Sequence, residues 1–259
     1  MQLNIYQVDA FANRPFGGNP AAVCPLTEWL PDARLQAIAE ENNLSETAYF
    51  VRTGDAFELR WFTPTVEVDL CGHATLAAAW VIANELPDAP DVIRFATRSG
   101  ELRVTRTEHG LAMDFPAKAP EPSEPPAGLL DALGIDKAEV FATDDWLVVV
   151  EDEHLIAGLT PDFARLKGLP LRGVAVTAAS RRFDFVTRWF GPNVGVNEDP
   201  VTGSAHTSLA PLWAARLGKS VFRAQQGGAR KGQLTCELAG DRVIISGEAV
   251  LYMKGRLYL

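Results

Sequence analysis

The segment Arg60-Trp61-Phe62-Thr63-Pro64 recurs about half a chain length later as Arg188-Trp189-Phe190-Gly191-Pro192. Each copy is followed by a short acidic stretch and then by a glycine that opens an apolar, helix-like run, at Gly72 and at Gly203. Three identical residues, a shared proline and the same order of features indicate an internal repeat. The sequence therefore predicts two matched halves.

Strands dominate the prediction around both copies, because short runs rich in β-branched and aromatic residues alternate with turn residues. The runs after Gly72 and Gly203 are apolar nearly all the way round, which is typical of a buried helix. A proline-rich stretch, 116–126, is the predicted linker. The predicted strands are 3–11, 47–52, 57–62, 92–97, 101–105, 111–115, 139–151, 173–178, 183–190, 233–238 and 243–246, with surface helices at 31–41 and 161–169.

Composition excludes several classes of protein. With 259 residues, 47% of them hydrophobic and 22% charged, the chain has enough apolar residues for one large core or two modest ones. A net charge of −9 without a cluster of Lys and Arg argues against binding nucleic acid. Apolar runs are too short to span a membrane, and residues 1–11 resemble a strand and not a signal peptide.

The cysteines Cys24, Cys71 and Cys236 are odd in number, far apart and without a CxxC pair. This usage predicts free thiols in the reducing cytoplasm. His109, His154 and His206 are isolated from one another and lie outside metal-ligand spacing, so no metal is predicted.

The starts of the two buried helices are candidate anion sites. A first helical turn has backbone N–H groups without intrahelical partners and partial positive charge, and small residues allow a ligand close approach. The residues with this composition are Gly72, Ala74, Thr202, Gly203 and Ser204, with the loop 17–21, which contains Asn19, as a third wall. The predicted ligand is a small molecule that bears a carboxylate.

Three segments together resemble the phenazine-biosynthesis PhzF-like family: 43–48 around Glu46, 69–75, and 198–205. The similarity extends from 9–11 and 18–20 to 226–232. It implies an α/β (α+β) fold with two pseudo-symmetric lobes, each a curled, mostly antiparallel, barrel-like sheet around a buried central helix, as in diaminopimelate epimerase. We expect an N-terminal lobe at 1–117 and a C-terminal lobe at 118–259, with the return of the last strand to the first lobe left open. A cleft between the lobes and a homodimer are also implied.

The resemblance also implies roles for single residues. Glu46 matches the general acid/base of the family, and desolvation among apolar neighbours would suit a carboxyl group to that work. His73 and Asp199 match positions that assist proton handling or orient the substrate, and the helix end would favour neutral His73. Gln226 and Arg230 match a segment near the substrate. Asp199 as a helix cap and Arg230 as an exposed loop residue are the structural alternatives.

The leading hypothesis is a cofactor-independent isomerase that moves a proton on a small carboxylate-bearing metabolite. A first alternative is a hydrolase or transferase with Cys71 as nucleophile and His73 as base, although side chains two residues apart at a helix start should diverge. A second is an anion-binding protein without turnover. Cys71 matches one catalytic cysteine of diaminopimelate epimerase, but Thr202 and its neighbours supply no second one, so two-thiol racemisation is excluded. Two roles are then left for Cys71: a buried packing residue that takes no part in the chemistry, or a second base that works with Glu46.

Overall fold

The computed structural model describes residues Met1 to Leu259 and divides them into two compact units. The first unit comprises Met1–Asp114 and Ser246–Leu259, and the second comprises Phe115–Ile245. No helix is long and apolar enough to cross a membrane.

Eighteen strands and six α-helices make up the fold. The strands are β1 (Gln2–Ala10), β2 (Asn19–Leu26), β3 (Glu46–Thr53), β4 (Ala56–Phe62), β5 (Glu67–Val68), β6 (Val92–Thr97), β7 (Gly100–Thr107), β8 (Gly110–Pro116), β9 (Glu121–Pro122), β10 (Glu139–Ala142), β11 (Trp146–Val149), β12 (Val174–Ala179), β13 (Phe185–Gly191), β14 (Val196–Asp199), β15 (Val221–Gln226), β16 (Gly232–Ala239), β17 (Arg242–Gly247) and β18 (Ala249–Tyr258). The helices are α1 (Asp32–Asn42), α2 (Gly72–Glu85), α3 (Leu129–Leu133), α4 (Glu153–Gly158), α5 (Phe163–Leu166) and α6 (Gly203–Leu217).

The pairing of strands repeats between the units, which confirms the predicted pseudo-symmetry. In the first unit β1–β2 is antiparallel, β2–β3 parallel, β3–β4 and β4–β5 antiparallel, β4–β6 parallel and β6–β7 antiparallel. In the second unit β10 to β15 pair in the same order and with the same directions, and β15–β16 closes the series. The repeated RWF segments lie at equivalent places, in β4 and β13.

Each RWF segment is held by the same local structure. Arg60 makes a two-pronged ion pair with Glu67 at 2.7 and 2.8 Å, and its guanidinium lies over the Phe62 ring. Arg188 pairs in the same way with Glu198, at 2.8 Å for both contacts, and lies over Phe190. Side chains two positions apart share a face of a strand, so the arginine and the phenylalanine meet while the intervening tryptophan points the other way. The repeat is therefore structural.

The two long helices are buried, as predicted. In α2 the nine residues at positions 73–79, 81 and 82 are buried, and seven of them have aliphatic side chains. In α6 the interior Pro211 has no N–H to donate to the carbonyl of Thr207, and the N–H of Lys118 donates to that carbonyl instead, at 3.0 Å. A helix-breaking residue is thus accommodated by a contact from distant sequence.

The structure differs from the predicted elements in several places. The predicted strand 139–151 is two strands, because the segment 143–145 turns between β10 and β11. The predicted helix 161–169 shortens to α5, and the predicted loop 17–21 runs into β2. The last strand, β18, pairs with β1 along its length and therefore belongs to the first unit.

Candidate functional site

Glu46 is the first residue of β3 and follows the turn that ends α1. Asn43 ends that helix in the left-handed conformation, at φ 50°, and its N–H donates to the carbonyl of Ala39. The chain then enters β3, which runs parallel to β2 with Glu46 opposite Ala21. The Glu46 side chain is 15% exposed, so it is largely withdrawn from water but still reachable by a small molecule.

His73 lies in the first turn of α2 and faces Glu46. Its side chain is 6% exposed, and its Nε2 lies 3.1 Å from Oε2 of Glu46. The distance is that of an ion pair, but the ring N–H is not aligned with the carboxylate well enough for a hydrogen bond, and neither atom bonds to another group. Two buried polar atoms thus face each other with hydrogen-bonding capacity to spare.

The other nitrogen of the ring, Nδ1, contacts two side chains. Nδ2 of Asn19 lies 3.2 Å from it and Sγ of Cys71 lies 3.5 Å from it. The expectation that Cys71 and His73 diverge is wrong: Cys71 is the N-cap of α2, with an extended backbone at φ −144°, so its side chain does not follow helical geometry. Ser45 donates to Oδ1 of Asn19 at 3.3 Å and extends the cluster.

The neighbours of His73 decide its protonation. Burial by itself lowers the pKa of His73, but Cys71 and Glu46 raise it, and the net pKa lies well above the ordinary value. This direction is opposite to the one expected from the helix end, because a carboxylate at 3.1 Å acts more strongly than the partial charge of a helix start. Burial, followed by the charge of Glu46, raises the pKa of the Cys71 thiol to about 11. The thiol is therefore a poor base at neutral pH.

Asn19 owes its position to the residue before it. Gly18 has φ +60°, and a Cβ atom there would lie 2.0 Å from the carbonyl oxygen of Ala10. A glycine is required at this turn, which brings the chain back antiparallel to β1 with Asn19 opposite Ala10. Asn19 is fully buried. Asn19, which the sequence predicted as a substrate-binding residue, therefore contacts His73 in the structure.

Glu46, Cys71 and His73 also form a group of potential metal ligands. One donor atom from each lies within 4.8 Å of the others. Neither paired cysteines nor spaced histidines mark this group in the sequence, because its members come from β3 and from the start of α2.

In the second unit, Asp199, Thr202 and Gln226 form a hydrogen-bonded corner before α6. The Thr202 hydroxyl donates to Asp199 at 2.6 Å, and the Thr202 N–H donates to Oε1 of Gln226 at 3.0 Å. Nε2 of Gln226 donates to the Asp199 carbonyl and to the Thr202 hydroxyl, both at 2.9 Å. Both N–H groups of this buried amide are thus used within the protein, so the structure makes Gln226 a support for Asp199 and Thr202.

Arg172 is a charged neighbour of α6 that sequence reasoning missed. Its Nη1 donates to Oγ of Ser204 at 2.9 Å, and its other nitrogens hold the buried Asp145 at 3.0 and 2.5 Å. Trp189 donates to the same carboxylate and lies under the guanidinium. The RWF motif contains Trp189, one partner in this contact, and so marked that side of it. Arg172 itself lies in a segment without any motif.

The remaining predicted residues lie near these groups within their own units. Gly72 and Ala74 lie in the first turn of α2, and Gly203 is the first residue of α6. Arg230 closes a tight turn: at Gly227, with φ +111°, a Cβ atom would lie 2.0 Å from the Arg230 carbonyl oxygen.

The comparisons with known proteins agree with this fold. The model of the phenazine biosynthesis-like protein family, PhzC-PhzF, matches residues 8–255. The chain belongs to this family. A Pseudomonas aeruginosa protein named as an uncharacterized isomerase is 71% identical, with full coverage of both chains. The crystal structure of a PhzF-family phenazine biosynthesis protein from Enterococcus faecalis is 48% identical, with a TM-score of 0.97 and full coverage of both chains.

A more distant structure extends the likeness of the fold. A predicted epimerase from Pseudomonas aeruginosa has a TM-score of 0.74 at 23% identity, with 99% of each chain covered. At this identity the likeness concerns the fold alone. The expected α+β fold of the epimerase-like PhzF type is confirmed by these neighbours.

Proposed function

We propose that the protein is an isomerase that moves a proton on a small, carboxylate-bearing metabolite, with Glu46 as general acid/base and without a cofactor. The observation that carries the proposal is the 3.1 Å contact between the Glu46 carboxylate and the buried His73 ring. Membership of a family whose similar curated proteins are named as isomerases supports the reaction class.

The proposed reaction needs a base that can remove a proton from carbon and then act as the acid that returns it. The Glu46 side chain is 15% exposed, so its carboxylate is proposed to accept a proton from a substrate carbon, while the buried Oε2 faces His73. The positive charge of protonated His73, 3.1 Å from the carboxylate, is proposed to stabilise the carboxylate or the charge that develops on the substrate. The proton returns from Glu46 to a different carbon of the same molecule, so no net proton is consumed.

The substrate carboxylate is proposed to bind to backbone N–H groups at helix starts. In α6 the Thr202 N–H already donates to Gln226, which leaves Gly203 and Ser204 as the donors proposed for the substrate, with Arg172 adding positive charge beside Ser204. In α2 the backbone N–H groups of Gly72 and His73, at the first two positions of the helix, are the donors proposed for the substrate. Asp199 is proposed to orient the substrate, and Arg230 to bind its carboxylate.

A Cys71 nucleophile is the second candidate, because Cys71 and His73 are in contact at 3.5 Å. A nucleophilic cysteine must be a thiolate, and burial raises the pKa of this thiol to about 11. The geometry therefore suits Cys71 less well than Glu46. Cytoplasmic location and a homodimer remain predictions from the sequence.

The test is the exchange of substrate C–H for solvent deuterium, followed by NMR over a panel of small cyclic and amino carboxylates in buffer with a metal chelator. Wild type is compared with Glu46→Gln and with Glu41→Gln, a control on the exposed side of α1. We expect exchange of at least one compound by wild type and the control and none above background by Glu46→Gln. Equal exchange by all three proteins would refute the role of Glu46, and binding without exchange by wild type would favour an anion-binding protein.

A further inference from the structure

The side chains of Cys71, His73 and Glu46 have the donor chemistry of a zinc site. Thiolate sulfur, imidazole nitrogen and carboxylate oxygen are the three protein ligands that Zn²⁺ prefers, and a three-residue set leaves the fourth position for water. One donor atom from each residue lies within 4.8 Å of the others. Glu46 lies in β3, and Cys71 and His73 lie at the start of α2. Folding therefore brings Glu46 close to the other two residues, which adjacency in sequence does not.

The distance between the first two donors matches the geometry of a bound ion. With Zn–S about 2.3 Å and Zn–N about 2.0 to 2.1 Å, tetrahedral coordination places sulfur and nitrogen about 3.6 Å apart. Sγ of Cys71 and Nδ1 of His73 are 3.5 Å apart. These two ligands therefore need almost no rearrangement to hold the ion, whereas the Glu46 carboxylate must turn from Nε2 toward it.

Burial and spare bonding capacity also fit a metal ligand set. Oε2 of Glu46, a proposed ligand atom, is buried without a hydrogen bond, and the imidazole side chain that offers Nδ1 is 6% exposed. Cys71 is 7% exposed, so the sulfur is shielded from bulk water but not enclosed. The other two cysteines, Cys24 and Cys236, are fully buried, and no metal-ligand group includes either of them.

We propose that Cys71, His73 and Glu46 bind a thiophilic divalent cation, Zn²⁺ above all, and that the bound ion reversibly inhibits the enzyme. On binding, the Cys71 thiol and the Nδ1–H of His73 each release a proton to solvent, and Nδ1 exchanges its contact with Asn19 for the ion. Affinity should therefore rise with pH. Inhibition rests on the proposed function, because the ion occupies the carboxylate that would accept the substrate proton.

The ion itself is the probe in the first experiment. Metal-free, full-length protein is titrated with Co²⁺, and thiolate ligation is read from the sulfur-to-cobalt charge-transfer band. Zn²⁺ is then added in competition. Wild type is compared with Cys71→Ser and with Cys24→Ser and Cys236→Ser, which remove buried thiols outside the ligand group. Circular dichroism checks that every variant is folded.

We expect one equivalent of Co²⁺ with a thiolate band in wild type and in both control variants, and displacement of Co²⁺ by Zn²⁺. Cys71→Ser should lose the band and bind Zn²⁺ at least about 10-fold more weakly, and His73→Gln should bind as weakly even if Cys71→Ser fails to fold. Absence of the band in wild type, or equal affinity in wild type and Cys71→Ser, overturns the proposal. Because deuterium exchange is measured with chelator present, either proposal can fail while the other stands.

Discussion

Nε2 of His73 lies 3.1 Å from Oε2 of Glu46, although the two residues come from the start of a helix and the start of a strand. The carboxylate and the neighbouring Cys71 raise the pKa of His73 well above its ordinary value in spite of burial. The same contact thus joins the candidate proton-transfer residues and makes the stability of the fold depend on pH.

We predict that the stabilising effect of the His73 proton is lost as pH rises. Since the pKa is raised in the folded state, that state holds the proton more tightly than the unfolded chain does. The contribution is complete below the unfolded pKa of about 6.5 and disappears as pH rises through the folded pKa. Urea unfolding of wild type and His73→Gln over a pH series measures it. A difference between the two proteins that grows with pH would contradict the assignment.

The buried histidine of α6 should behave in the opposite way. His206 bonds to the Thr202 carbonyl through Nδ1 and lies against the Phe185 ring, and burial lowers its pKa to about 4. Its neutral form is favoured by folding, so stability is complete above pH 6.5 and falls between about 6.5 and 4, by at most about 1.4 kcal/mol per pH unit. His206→Asn keeps a donor near Nδ1 and should flatten this part of the curve. If the loss of stability at low pH is the same in His206→Asn as in wild type, other groups cause that loss.

Cys71→Ser should preserve proton transfer. Burial raises the pKa of the thiol to about 11, so little thiolate is present at neutral pH, and serine retains a small polar side chain at the N-cap of α2. We expect deuterium exchange within about 10-fold of wild type, whereas Glu46→Gln should lose about 100-fold or more. Equal losses in the two variants would identify Cys71 as a second base.

Gln226→Leu should destabilise the second unit by about 3 kcal/mol, because it leaves the Thr202 N–H and the Asp199 carbonyl without their partner. Gln225→Leu is the matched control: it lies next to Gln226 on the opposite face of β15 and is partly exposed. That change should stay within about 0.5 kcal/mol of wild type by urea unfolding. Similar losses of stability in both variants would show that any change in β15 destabilises the fold, and not the loss of the hydrogen bonds made by Gln226.

The two RWF arginines provide a comparison within one chain. Both pair with a glutamate and have further partners. Arg188 is 9% exposed at its side chain and donates to the carbonyls of Ile156 and Leu159, whereas Arg60 is 17% exposed and its further partner is the exposed Asp32. Lysine cannot reproduce this set of bonds. We expect Arg188→Lys to cost about 2 to 3 kcal/mol and Arg60→Lys about 1 kcal/mol in thermal or urea unfolding. The reverse order would contradict the account of these contacts.

Sequence by itself determined the repeated architecture. The RWF segments, the glycine-initiated apolar runs and the alternation of strands are local patterns, and local patterns decide which residues a strand or helix buries. The resemblance of the segments 43–48, 69–75 and 198–205 to the PhzF-like family brought Glu46, His73 and Asp199 forward as candidates. The break between β10 and β11 escaped prediction because the segment 139–151 contains no glycine or proline to mark a turn.

Tertiary structure alone decided which side chains meet. The contact of Cys71 with His73 depends on an extended N-cap, the contact of Arg172 with Ser204 joins residues far apart in sequence, and the amide of Gln226 is used within the protein. Spacing along the chain does not fix such distances, because they depend on strand register and on backbone angles at turns and caps. The pKa of His73 follows from the same cause: a helix end is visible in sequence, but a carboxylate 3.1 Å away exists only in the folded chain.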